Sequence, residues 1–204
     1  MKLLLRCIGK LELKTPGRYY VNKSYARWNH NVKGKMLEIG GGRTEKYNKK
    51  SIIVDIDPTL NPDIVASGYN LPFKDNAFDT VVSTEVLEHL EKPQIFVNEI
   101  YRVLKHDGAF FLTTRFIYEI HGEIDYFRYT KLSLKTLFNR FRIVNVKEQG
   151  SVLSVLSYFI VSIFPSPVKI IFYNILSPFY PLIAKIDQHG RKRITLGYSI
   201  YGRK

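Results

Sequence analysis

The chain has 204 residues, 45% of them hydrophobic, enough for one domain with a sizeable buried core. Its single cysteine, Cys7, excludes an internal disulfide framework and fits a reducing compartment, while Leu3 to Leu5, interrupted by Arg6, is too short for the apolar core of a secretory signal. The net charge of +13 sits at the ends, with +8 in residues 1 to 37, +5 in residues 185 to 204 and a neutral middle, so an anionic partner such as nucleic acid or a membrane face is expected at the ends.

In chain order, residues 1 to 13 place Lys2, Arg6 and Lys10 on one side and Leu4, Cys7, Ile8 and Leu11 on another, the pattern of a short basic amphipathic helix that Gly9 weakens. Residues 15 to 35 read as a turn and one cap helix, whose Tyr19, Tyr20, Tyr25 and Trp28 suit either packing or stacking on bases. Met36 to Ile39 is an apolar strand running into Gly40, Gly41 and Gly42, and Ile52 to Val54 is a second strand closed by Asp55. Glycines at a strand's carboxyl end let backbone approach a ligand, and an acid closing the next strand can accept hydrogen bonds from a ribose diol. The dinucleotide fingerprint is incomplete: no third glycine follows Gly42, and the polar run from Arg43 to Lys50 leaves no room for a full crossover helix.

Pro58 and Pro62 keep the chain in turns until a strand at Ile64 to Ala66. A turn at Asn76 to Phe78, a buried strand at Thr80 to Ser83 and a short helical turn at Glu85 to Leu90 follow. Pro93 opens a helix that runs to a stop near Asp107 and Gly108, and Ala109 to Thr113 is the next strand. Thr130 opens another helix, Phe141 to Val146 alternates as a strand, and Ile194 to Tyr201 is the last strand. Alternating strands and helices predict a parallel α/β sheet.

Residues 152 to 184 hold one charge, Lys169. The thirteen residues before Pro165 would span about 20 Å as a helix, short of the roughly 30 Å hydrocarbon core. Pro165, Pro167, Pro178 and Pro181 divide the remainder into short pieces, which leaves two readings: a lid over the substrate, or insertion into one leaflet of a membrane.

The blocks LEIGGG, VDIDP, NLPFKDNAFDTVVSTEVLEHL and EIYRVLKHDGAFFLTT, in this order and spacing, resemble the class I S-adenosylmethionine-dependent methyltransferases, in particular the methyltransferase type 11 group. The resemblance covers roughly Lys35 to Phe141 and the last strand. It implies a Rossmann-like, mostly parallel seven-stranded sheet with the last strand antiparallel, and an apolar helical insertion before that strand. It divides the chain into a basic N-terminal extension and cap helix (1–35), a methyltransferase core (36–149), the apolar insertion (150–190) and the final strand with a basic C-terminus (191–204).

The resemblance also assigns roles. Glu38 takes the place of the first motif's acid near the methionine portion of S-adenosylmethionine, while Gly40, Gly41 and Gly42 take the turn against the adenosyl group. Asp55 takes the ribose-binding position, Ile56 packs on adenine, and Asn70 and Leu71 lie in the adenine-side loop. Thr84 and Glu85 fall beside the sulfonium. Ser67 stands where relatives often have an acid for the adenine amino group, which weakens that contact. His89 and His121 are the candidate bases, and Asp125, Arg128 and Tyr129 are placed over the methyl site as substrate-binding residues. Without a ligand the same loop would simply be held by an Asp125 to Arg128 ion pair, and His89 would be a helix-end histidine bonded to backbone. His121, Glu123 and Asp125 are too tight a run for a metal cage, so no metal is expected.

The expected function is methyl transfer from S-adenosylmethionine to a hydroxyl, amine or carboxylate on a small or lipid-linked acceptor. Relatives with this layout are associated with cell-envelope glycan or lipid pathways. The expected location is cytoplasmic, with the membrane's cytoplasmic face as a candidate docking surface. An RNA methyltransferase is the alternative that the basic ends favour, although no nucleic-acid-binding module is recognisable. A non-catalytic membrane-associated scaffold on the same fold is the alternative that Ser67 and the short first connection favour. Nothing in the sequence assigns an oligomeric state.

Overall fold

The computed structural model describes residues 15–41, 46–120, 123–187 and 194–204. The expected helix at 1 to 13, and with it Gly42 and His121, lies outside these residues. Seven strands form one sheet in the order β3-β2-β1-β4-β5-β7-β6. They are β1 (Met36–Ile39), β2 (Ile52–Asp55), β3 (Ile64–Val65), β4 (Phe78–Thr84), β5 (Leu104–Arg115), β6 (Ile143–Gln149) and β7 (Gly197–Arg203). The first five pair in parallel, and β7 runs antiparallel between β5 and β6. This is the expected methyltransferase topology.

The period-2 alternation of the central strands explains the two layers. Leu37, Ile39, Val81, Phe110 and Leu112 point to one face, where they pack against Val97 and Ile100 of α2 (Pro93–Val103) and Leu134 of α3 (Lys131–Leu137). Met36, Val82 and Phe111 point to the other, under Tyr25 and Trp28 of α1 (Pro16–Trp28). Local sequence sets the helix starts. Thr15 caps α1 by accepting from Arg18 N at 3.1 Å with Pro16 following, and Thr130 and Ser133 form a capping box at α3.

Several boundaries differ from the expected ones for tertiary reasons. The helix expected to run towards Asp107 stops at Val103, because Leu104 is drawn into pairing with Phe78 and starts β5 five residues early. Asp107, at φ +60°, then turns the strand through an irregularity, a conformation Asp tolerates better than most residues. The strand expected from Phe141 begins instead at Ile143. Phe141 is held in the core by Phe110 and Phe138, with ring centroids 4.5 and 5.8 Å away.

Between β6 and β7 lie three apolar helices, α4 (Val152–Ser162), α5 (Ser166–Leu176) and α6 (Tyr180–Asp187). They build a second core from Val155, Tyr158, Val161, Tyr173 and Ala184, joined by Tyr20 and Leu196. Asp187 fixes this layer to the domain. Its carboxylate accepts from Tyr20 Oη at 3.0 Å, Ser151 N at 3.0 Å, Ser151 Oγ at 2.7 Å and Ser154 Oγ. The entry and exit of the layer also meet, through Leu196 N to Gln149 O at 3.1 Å and Gln149 N to Thr195 Oγ1 at 3.0 Å. Among the described residues no helix is long and apolar enough to cross a membrane.

Candidate active site

The carboxyl ends of β1, β2, β4 and β5 share one edge, the place where parallel sheets bind ligands. At the β1 end, Gly40 has φ +70°, and a Cβ there would fall 2.3 Å from Val86 Cγ2, so both backbone and packing demand glycine. Gly41 is similarly closed by Ile53. The chain therefore turns over the sheet edge with bare backbone. Asp55 ends β2 with its carboxyl mostly buried and accepts from Asp57 N at 3.0 Å, while the next side chain, Ile56, is 71% exposed. A carboxylate beside an upturned apolar side chain matches the two faces of a nucleoside, a diol edge and a flat ring.

The remaining residues assigned to the cofactor are placed less uniformly. Glu38 faces the α1 side of the sheet, where it accepts from Ser51 Oγ and from Asn48 N at 3.4 Å, so it braces the loop between β1 and β2. Leu71 is buried, with its N–H donated to Glu99 at 2.8 Å and its carbonyl accepting from Arg102 at 3.0 Å, and Asn70 is the exposed member of that loop. Ser67 closes its own turn by accepting from Tyr69 N at 3.2 Å.

Beyond β4 the backbone makes an unusual turn. Glu85 adopts φ +61°, rare for a non-glycine residue, and is held there by its N–H to Thr113 O at 3.0 Å. Its carboxylate accepts from Thr113 Oγ1 at 3.0 Å and pairs with Arg115 Nε, both side chains being more than nine-tenths buried. Arg115 reaches across to Gly17, where any Cβ would collide with its guanidinium, and lies 4.4 Å from the Tyr118 ring centroid. Thr84 accepts from Tyr47 Oη at 3.4 Å.

Glu88, fully buried in a 3-10 turn spanning Leu87–His89, completes the group by accepting from Thr114 Oγ1 at 2.9 Å. Within this group Glu85 Oε2, Glu88 Oε1, Arg115 Nε and Arg115 Nη1 have no hydrogen-bond partner among the described residues, so Glu85 and Arg115 meet as an ion pair and not through a hydrogen bond. The sequence reading missed Glu88, Thr113, Thr114 and Arg115. The one available signal was a charged residue, Arg115, continuing an apolar strand.

Burial lifts the Glu88 carboxyl to about 7, and the charge of Glu85 adds to the shift against opposing help from Thr114 and Arg115. The folded protein thus keeps a proton that the unfolded chain, titrating near 4.5, releases. The stability this provides is complete below about pH 4.5 and is lost as pH rises through 7, amounting to up to about 3 kcal/mol. Glu88→Gln is expected to remove this slope, raising the melting temperature at pH 8 by several degrees relative to wild type while changing it little at pH 4.5. Parallel melting profiles across that range would show that Glu88 is ionised throughout.

Over this group lies the loop that contains the other assigned residues. Tyr126 N and Phe127 N donate to Glu88 O at 2.8 and 3.3 Å, and His89 Nδ1 bonds Ile124 O. A carbonyl only accepts, so Nδ1 carries hydrogen and Nε2 is the proton-accepting nitrogen of neutral His89. Asp125 and Arg128 form a two-pronged ion pair, and Tyr129 Oη donates to Leu87 O at 3.2 Å. Beside them opens a cleft of about 410 Å³ lined by Phe116, Tyr118, Tyr126, Phe127, Arg128 and, from α4, Phe159. Among the described residues no cluster of three His, Cys, Asp or Glu could hold a metal ion.

This strand order is that of the Rossmann-like methyltransferase fold. Residues 33–112 match the family model described as a methyltransferase domain. The uncharacterized protein MJ1123 of Methanocaldococcus jannaschii is 37% identical over 99 residues, covering 44% of this chain and 48% of its own. The chain spans about half the length of the curated relatives it matches. A SAM-dependent methyltransferase from Archaeoglobus fulgidus superposes with a TM-score of 0.59 at 16% identity, over 92% of this chain and 94% of that one. Phosphoethanolamine N-methyltransferase 2 of Haemonchus contortus, solved with phosphomonomethylethanolamine and S-adenosylhomocysteine, gives 0.59 at 14% identity, over 93% and 53%. At these identities the two structures establish the shared fold.

Proposed function

We propose that the protein is an S-adenosylmethionine-dependent methyltransferase whose acceptor is a small or lipid-linked molecule offering a hydroxyl, amine or carboxylate, in keeping with a role in envelope glycan or lipid metabolism. The observation that carries the reading is that Gly40, Asp55 and Ile56 share one sheet edge with Thr84, Glu85 and the aromatic cleft. The cofactor, when bound, supplies a methyl group already activated on a positively charged sulfur, so alignment with the acceptor accounts for much of the rate.

Asp55 receives the ribose hydroxyls, Ile56 covers one face of adenine, and the backbone at Gly40 and Gly41 admits the adenosyl group. Asn70 is the exposed residue on the adenine side. Glu85, locked by Thr113 and Arg115, places fixed negative charge next to the methyl position. His89 Nε2 is the nitrogen that takes the acceptor's proton, and the Asp125 to Arg128 pair holds the loop that walls the cleft.

Calorimetric titration of the full chain with S-adenosylmethionine and S-adenosylhomocysteine tests the reading. Micromolar binding of both, tighter for the product, is expected, and saturation at a hundred times Kd should add about 2.7 kcal/mol of stability. Absence of binding by folded protein would overturn it. The RNA alternative has less support, because Tyr20, Tyr25 and Trp28 are buried between α1 and the rest of the fold, where they cannot stack on bases.

A further inference from the structure

The outer surface of the three apolar helices is itself apolar. On α4 and its C-cap, Leu156, Ile160 and Ile163 repeat at helical spacing opposite the buried Val155, Tyr158 and Val161, and Ile163 is 82% exposed. On α5 and α6, Ile175, Leu182 and Ile186 are likewise exposed. Large apolar side chains exposed on three helices that pack together mark an interaction surface. No acidic residue occurs between Glu148 and Asp187, and Asp187 is turned inward onto Ser151, Ser154 and Tyr20. On α6, Lys185 is exposed, flanked by Leu182 and Ile186.

We infer that this face docks on an anionic bilayer surface, with its side chains entering one leaflet and Lys185 at headgroup level. Charge selects the occupant. The chain carries a net charge of +13, so an anionic surface is attracted, whereas a second copy of the chain would bring the same charge against it. Geometry selects the mode. The longest of these helices has 11 residues, about 16 Å, half the hydrocarbon thickness, so the layer lies in the interface and does not cross it. Phe159, half exposed on α4, also lines the cleft, so the mouth of the cleft opens at the margin of the docked face. On the methyltransferase reading, this places a lipid-linked acceptor's reactive group at the cleft while its chain stays in the leaflet. The docking itself does not depend on that reading.

Flotation of the full chain with vesicles of phosphatidylcholine, with or without about one third phosphatidylglycerol, tests the inference. Binding to the anionic vesicles is expected, at least tenfold tighter than to the neutral ones and weakened by salt. The double variant Ile160→Glu and Ile163→Glu should lose at least tenfold, and Lys185→Ala about fivefold, with S-adenosylhomocysteine affinity unchanged in each. No binding of wild type to either vesicle would overturn the inference, as would equal binding by wild type and the double variant. Vesicle-independent dimers that the double variant abolishes would assign the face to a second copy instead. Vesicle binding without any S-adenosylhomocysteine affinity would leave the docking standing and sink the methyltransferase reading.

Discussion

Replacing Asp55 with alanine is expected to weaken S-adenosylmethionine binding by at least about a hundredfold, because hydrogen bonds to a charged acceptor contribute about 1.5–3 kcal/mol each and a ribose diol offers two. The residue suits this test. It closes β2 at the carboxyl edge of the sheet, and the bond its carboxylate accepts from Asp57 N at 3.0 Å belongs to a short turn whose loss should disturb the sheet little. Asp55→Asn, which keeps one acceptor oxygen, should fall between alanine and wild type. Calorimetry at constant pH, with a melting curve for each variant, separates a binding defect from a folding one. Unchanged affinity in a folded Asp55→Ala variant would remove Asp55 from the site and with it the strongest link between the sheet edge and the cofactor.

The second large effect concerns Asp187. Burial alone would push its carboxyl up, but donors from Ser154, Ser151 and Tyr20 outweigh this and hold it below the usual carboxylate range. Its contribution to stability is therefore present above the ordinary value of 3.8 and is lost as pH falls through the lower, folded value. Asp187→Ala leaves the Ser151 hydroxyl and N–H without this acceptor and leaves Tyr20 Oη and Ser154 Oγ, 2.7 Å apart, only each other to bond, and is expected to cost about 3 kcal/mol in urea denaturation at pH 7. The loss should fall on the α4 to α6 layer and α1 first, seen as faster amide exchange there than in β4 and β5. A change below about 0.5 kcal/mol would mean that water replaces the carboxylate and that the layer is held by its apolar core alone.

What the sequence disclosed follows from how local each signal is. β1, β2 and the core of β4 announce themselves as short apolar, largely β-branched runs, and the capping residues Thr15 and Thr130 mark helix starts by chemistry that acts within three residues. The early start of β5 was hidden because pairing with Phe78, far away in sequence, overrides a helical pattern that runs on past Val103. The same reason hid the buried pair of Glu85 and Arg115. Glu85 and Arg115 stand 30 residues apart, and only adjacent parallel strands bring them together. Loop residues 123 to 129 have no periodicity at all. Their resemblance to related sequences pointed to the methyl site, and the structure adds that His89 and Glu88 are what the loop hangs from.

The closed neck of the helical layer has a consequence for how such a protein can change. Gln149 pairs with Gly197 as the first rung of the β6 to β7 ladder, and Thr195 and Leu196 seal the rung from outside, so the sheet's register is set without reference to what the intervening chain does. The entropy of closing that excursion rises only with the logarithm of its length. Residues can therefore be added to it, removed or redesigned while the sheet edge at β1 and β2, on the far side of β4 and β5, keeps its geometry. The sheet is a fixed chassis, and the helical layer is an attachment that can vary wherever its contacts with Tyr20 and Leu196 are kept.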